Sequence, residues 1–282
     1  MSVIRPTETN VFDVDDIDLL PPLPDIGLRI IQTFADEFIT GNEVADVVSG
    51  DPAIAARLIG VANSAYFALR EPVSGMREVI NRVLGVDTVR TMALALAMDR
   101  SFDTTACPQF NPNTFWYAAI RRSEQSEQLA RLAMLPLDQR TLCHTAGLCG
   151  QLGLLALAVL RPRDLGNALA VLPAQPNSIL VHIDEPIDAS IVGLAATIAS
   201  HWNLPKAIVA AFSALEQGAY DENPVSAVLA SVDVLSGLEP DAPLPELAWV
   251  QSLSVSSVDL DKFRRTCCNP DARSSADALI VD

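Results

Sequence analysis

The stretch HTAGLCGQLGLLAL, residues 144–157, decides how this chain is read. Its second half is nearly pure Leu and Ala, yet Gly150 and Gln151 stand just before that run. Around it, Leu142 to Leu160 carries no formal charge, and Arg140, Arg161 and Arg163 bracket the segment. That length reaches the lower end of a membrane-spanning helix. His144, Thr145, Gln151 and three glycines interrupt its first two-thirds, however, leaving only a short strongly apolar block. A block of that size reads as a helix buried inside a bundle, not as a membrane insertion.

The rest of the chain points the same way. Half of its 282 residues are hydrophobic and 19% are charged, a composition that folds around a real core. Aromatics are only 5%, so that core is built from small and aliphatic side chains, which favours helices. Helical patterns follow one another from "LPPLPDIGLRIIQTFAD", where Ile26, Ile30 and Phe34 share a side, through "NEVADVVSG". "DPAIAARLIGVANSAYF" opens on Asp51 as N-cap with Pro52 behind it. "VSGMREVINRVLG" runs from a Ser74 cap to a Gly85 stop, and "DTVRTMALALAMDRSF" starts at Asp87. The proline-containing "DTTACPQFNPN" then marks a boundary.

Beyond it come the long "NTFWYAAIRRSEQSEQLARLAM", the apolar segment as one buried helix, "RPRDLGNALAVL", and two helices meeting at Pro205. A helix capped by Asn223 follows, then "PLPELAWVQSL" and "SVDLDKFRRTC". "ILVHI" at 179–183 is an isolated strand-like run. The expected fold is all-α. Residues 1–19 form an acidic arm, 20–104 an amino-terminal helical subdomain, 112–268 a second helical subdomain, and 269–282 a tail.

Charge and motifs exclude several functions. A formal net charge of −16 repels phosphate backbones, so no nucleic-acid partner is expected. The pairs Arg121–Arg122 and Arg264–Arg265 read as solvated helix surface. The five cysteines show no C-x-x-C, and Cys143 and Cys149 fall about 240° apart around a helix. Nothing in the spacing of His144, His182 and His201 suggests zinc. The amino terminus lacks the pattern of a signal peptide, and a reduced, cytoplasmic setting is expected. Cys143 beside His144 resembles a nucleophile–base pair, but helix neighbours point about 100° apart, so a buried structural cysteine is expected. No phosphate-binding glycine loop occurs, and with only Lys206 and Lys262 in the chain a loop lysine has no candidate. The carboxylate pairs Asp15–Asp16 and Asp184–Glu185 lie in polar stretches and read as solvated. Trp116 and Trp202 read as core aromatics, and Asn63 and Ser64 as side chains that bond nearby backbone.

Together, "LPPLP" at 20–24, "DPAIAARLIGVANSAYF" at 51–67, "VLGVDTVRTMALALAM" at 83–98 and W-x-L-P at 202–205 resemble the HDOD family. The resemblance covers roughly residues 19 to 216. It implies an HD-domain-like multi-helical bundle with an amino-terminal helical subdomain. It also implies kinship with HD metal-dependent phosphohydrolases, including the HD-GYP enzymes that cleave cyclic di-GMP, and a role in bacterial signalling after loss of the metal site.

In the catalytic relatives the segment like "AGLCGQLG" carries adjacent His and Asp, where this chain has Gly150 and Gln151. The other ligand positions implied fall near Ala118, Ala189 and Leu215–Glu216. A glycine offers no ligand and a neutral amide cannot bridge two cations, so no catalytic residue, no metal and no cofactor is expected. Gln151 is expected to hydrogen-bond inside the relict pocket. The leading reading is a non-catalytic scaffold that binds other signalling proteins. The alternative is a sensor holding a nucleotide or cyclic dinucleotide in that pocket; Trp116, Arg121, Arg122, Gln151, Asn63 and Ser64 are the candidate pocket or interaction residues. A surviving phosphohydrolase ranks last.

Overall fold

A computed structural model describes residues 20–35, 38–171, 190–238, 242, 244–245 and 253–267. Among these every regular element is helical, so the all-α, HD-like class expected from the sequence holds. The 1–19 arm, the 269–282 tail, "ILVHI", Ala189, His182, the Asp15–Asp16 and Asp184–Glu185 pairs and most of "PLPELAWVQSL" lie outside the described residues.

The amino-terminal half contains α1 (Asp25–Ala35), α2 (Gly41–Ser49), α3 (Pro52–Ala62), α4 (Met76–Glu78) and α5 (Val86–Asp99). The sequence punctuates them chemically. Thr40 and Glu43 form a reciprocal capping box on α2. Asp51 accepts from Ala53 and Ile54 at the start of α3, as its position before Pro52 predicts. Ser74 is not the cap of α4; Gly75 stands there, and Ser74 instead donates its N–H and hydroxyl to Glu78. A π-helical turn at Val79–Leu84 continues α4 and stops at Gly85, whose φ of 81° favours a residue without Cβ. The helix after it, α5, is enclosed by α1, α3 and the later helices. Every residue from Val89 to Met98 is buried, so it has no solvent face.

The second half contains α6 (Pro112–Leu132), α7 (Leu137–Cys149), α8 (Leu152–Leu160), α9 (Pro162–Val171), α10 (Ile191–His201), α11 (Lys206–Gln217), α12 (Pro224–Ser236) and α13 (Ser257–Cys267). The antiparallel α6–α7 pair is its spine, and α12 lies across both. Small residues let the pair approach closely: a Cβ on Gly147 would come within 2.8 Å of the Ser123 Cα. Asn223 caps α12 by accepting from Val225 and Ser226.

The apolar segment is not one helix. It breaks at Gly150–Gln151 into α7 and α8. At Gly153 a Cβ would fall 2.1 Å from the Ile191 carbonyl oxygen, so α8 crosses the start of α10 at backbone contact. By length and composition Leu137–Leu160 could cross a membrane, but 89% of its apolar window is packed inside the fold. A strap from the amino-terminal side ties the halves together. Leu20 and Leu23 are buried, and the Trp202 indole donates to the Pro21 carbonyl at 3.2 Å.

Candidate functional site

The break at Gly150 is occupied from α6. Arg122 runs under it and is only 4% exposed, not the solvated surface residue its sequence context suggests. Its Nε donates to Asp233 Oδ1 at 2.7 Å and its Nη2 to Asp233 Oδ2 at 2.9 Å, a two-point ion pair with α12. Its Nη1 donates to the Gly147 carbonyl at 3.0 Å and reaches that of Ala146 at 3.5 Å. The last turn of α7 exposes carbonyls that no intrahelical N–H can satisfy, and a cation is the natural cap for them. Gly150 is glycine because of this guanidinium: a Cβ there would sit 2.3 Å from Arg122 Nη1. Close by, burial and then the Asp233 carboxylate push the Tyr220 phenol above its ordinary range.

Divalent metal does not fit this centre. The position that the family resemblance assigns to a ligand histidine has no room for any side chain while Arg122 is in place. Arg122 also already takes up the negative charge that Asp233 would offer a metal. Ala118 is buried core, Leu215 is half-buried and Glu216 is exposed. No group of three or more His, Cys, Asp or Glu side chains among the described residues is placed to hold an ion.

The other candidates are dispersed. Arg121, 7% exposed and again not solvated, stacks on Tyr117, donates to the Tyr117 hydroxyl at 3.2 Å and to the Cys267 carbonyl at 3.4 Å. It points toward α13, away from Arg122 and Gly150. In the second arginine pair, Arg264 is buried and donates to the Ala242 carbonyl, while Arg265 is exposed. Trp116 is a core aromatic, as expected, and its indole donates to Asp99 at 2.7 Å. Asn63 makes a two-way pair with the Val73 backbone, both bonds 2.8 Å, so it clamps the loop after α3. That backbone is ten residues away, beyond the local bonding its position suggests. Among the described residues the enclosed Ser64 hydroxyl finds no partner. Gln151 is buried, but no hydrogen bond joins its amide to a described residue, unlike the network expected of it.

Burial, and then the Glu127 carboxylate, push the Cys143 thiol up to about 12, which disfavours a reactive thiolate there. The neighbouring His144 ring faces elsewhere: Nδ1 meets Glu127 Oε2 at 3.1 Å and Nε2 meets the Thr91 hydroxyl. Two residues that sequence reasoning passed over organise this interior, Asp233 and Glu127. Asp233 left one legible signal, a lone carboxylate inside the apolar helix "SAVLASVDVLSG".

Fold and site together define a class: an HD-like helical bundle whose centre is closed by an arginine–aspartate pair. The chain belongs to the HDOD domain family, whose model matches residues 20–217. Among solved structures it is similar to a protein assigned to signal transduction from Marinobacter aquaeolei VT8. That match has a TM-score of 0.75 and 24% identity and covers 98% of this chain and 62% of the other. It is also similar to an HDOD domain protein of unknown function from Geobacter sulfurreducens, with a TM-score of 0.62 and 20% identity over 94% of this chain and 89% of that one. A protein assigned as a phosphohydrolase from Shewanella amazonensis SB2B matches with a TM-score of 0.64 and 18% identity, over 94% and 96% of the two chains. At these identities the likeness shows the fold. The chain spans 62% of the length of the Marinobacter protein. No curated protein matches it.

Proposed function

We propose that this chain is a non-catalytic HDOD signal-transduction protein that works in the bacterial cytoplasm as a scaffold for other signalling proteins. One observation carries the reading. The guanidinium of Arg122 occupies the centre of the HD-like bundle and is bonded on all sides, to Asp233, Gly147 and Ala146. A hydrolase needs that space for ions that polarise phosphate and activate water. A nucleotide sensor needs it for its ligand, and the ligand would have to displace a buried ion pair. A scaffold needs neither, only a rigid helical body.

Three measurements test this on the full chain. Metal analysis of purified protein, with a phosphodiester assay in added manganese, should show no stoichiometric ion and no turnover; a bound ion together with turnover would defeat the reading. A nucleotide and cyclic-dinucleotide panel should leave the melting temperature unchanged, since a ligand of the folded state raises it. Affinity capture from the native cytoplasm without nucleotide should recover kinases, cyclases or receiver proteins. A clear nucleotide shift with no such recovery would make the protein a sensor instead.

A further inference from the structure

The second buried polar cluster lies where the two halves of the chain meet and takes no part in the relict centre. The His144 ring, on α7, is 5% exposed. Its Nδ1 meets Glu127 Oε2 on α6 at 3.1 Å, and its Nε2 meets Thr91 Oγ1 on α5. The ring of Phe34, on α1, lies 6.2 Å away. One imidazole thus touches helices from both halves.

Counting protons shows why this contact has two states. Glu127 is ionised: the hydrogen bond from His144, helped by Arg131, holds its carboxyl at about 2. An ionised carboxylate only accepts, so Nδ1 must carry a proton. Thr91 has one hydroxyl proton, and the Asp87 carbonyl lies 2.9 Å from its oxygen. If Thr91 donates to Asp87, Nε2 can bond to Thr91 only by carrying a second proton. If the ring carries one proton, Thr91 must choose between Asp87 and His144, and one bond is lost. The doubly protonated ring satisfies every partner and the singly protonated ring does not.

We propose that His144 is a protonation-sensitive latch between the amino-terminal and HD-like halves, its second ring proton adding the hydrogen bond that holds α7 against α5 at Thr91. The charges that face it come from each packed helix. On α6, Glu127 brings a negative charge, Arg131 pairs with it at 2.5 Å, and Glu124 lies one turn away, half-buried. From α5, Arg90 brings a positive charge 4.7 Å from the centre of the Phe34 ring, on a side chain paired with Asp87. Cys143, on α7 itself, stays a neutral thiol. The latch does not depend on what the protein binds, so its failure would leave the scaffold reading intact.

The test uses the full chain with nitrogen-15 histidine. Ring-nitrogen NMR from about pH 5 to about pH 9 reports the proton count on His144, assigned with His144→Gln. Hydrogen-exchange protection factors of the α5 amides are followed over the same range. Protection should be about five-fold greater when the ring holds two protons, the worth of one buried hydrogen bond. The step should vanish in Thr91→Val and persist in Thr91→Ser. A ring with a fixed proton count, or α5 protection that is flat through the ring's titration, overturns the proposal; so does a step that survives Thr91→Val. The wild-type arm decides even where Thr91→Val does not fold.

Discussion

Arg122 and Asp233, 111 residues apart in the chain, meet in a two-point ion pair with side chains 4% and 21% exposed. The pair joins the α6–α7 spine to α12 and fills the space beneath the break at Gly150. A buried pair of this kind is a weak source of net stability, because desolvation offsets most of the attraction. Losing one partner is another matter.

Removing the acid strands a buried cation. Asp233→Ala or Asp233→Asn should lower stability by about 3–5 kcal/mol, read by chemical denaturation. The double variant Arg122→Met with Asp233→Leu should recover much of that loss. An Asp233→Asn protein as stable as wild type would show that the pair is not desolvated.

Gly150 and Arg122 compete for one volume. Gly150→Ala should cost about 1–3 kcal/mol through overpacking, since its Cβ would meet Arg122 Nη1 at 2.3 Å. Much of that cost should disappear in an Arg122→Met background, a coupling that a double-mutant cycle measures. Simple additivity would mean that α7 shifts to relieve the clash.

Asn63 holds the loop after α3 through paired bonds to the Val73 backbone. Asn63→Ala should cost about 1–3 kcal/mol, and Asn63→Asp should fail to rescue it, because the carboxylate cannot donate to the Val73 carbonyl. Thermal unfolding of both variants settles the point.

The acid limb of stability should follow Glu127. Its folded-state value, about 2, lies below its ordinary 4.5, mainly through the bond from His144. A depressed carboxylate stabilises the fold fully above about 4.5 and loses that contribution as pH falls toward about 2. Glu127→Gln should flatten the fall in melting temperature across that window. An unchanged acid limb would place the titrating group elsewhere.

Much of this was legible in the one-dimensional pattern. Asp51–Pro52 and Asn223–Pro224 announce helix starts because capping is local chemistry. Gly85 announces a stop for the same reason. The arginines misled, because two adjacent charged residues look alike whether their partners are water or a carboxylate 111 residues away. The continuous apolar run hid its own break, since Gly153 is needed only where the Ile191 backbone crosses it.

The amino-acid order alone determined an all-helical class, many of the helix ends, and Gly and Gln at 150 and 151, where the family resemblance implies His and Asp. These depend on near-neighbour geometry and on residue identity. Only the tertiary structure decided what fills the centre of the bundle and what pins the two halves together. Both depend on charges converging from helices far apart in the chain, and sequence distance carries no record of which buried charges will meet.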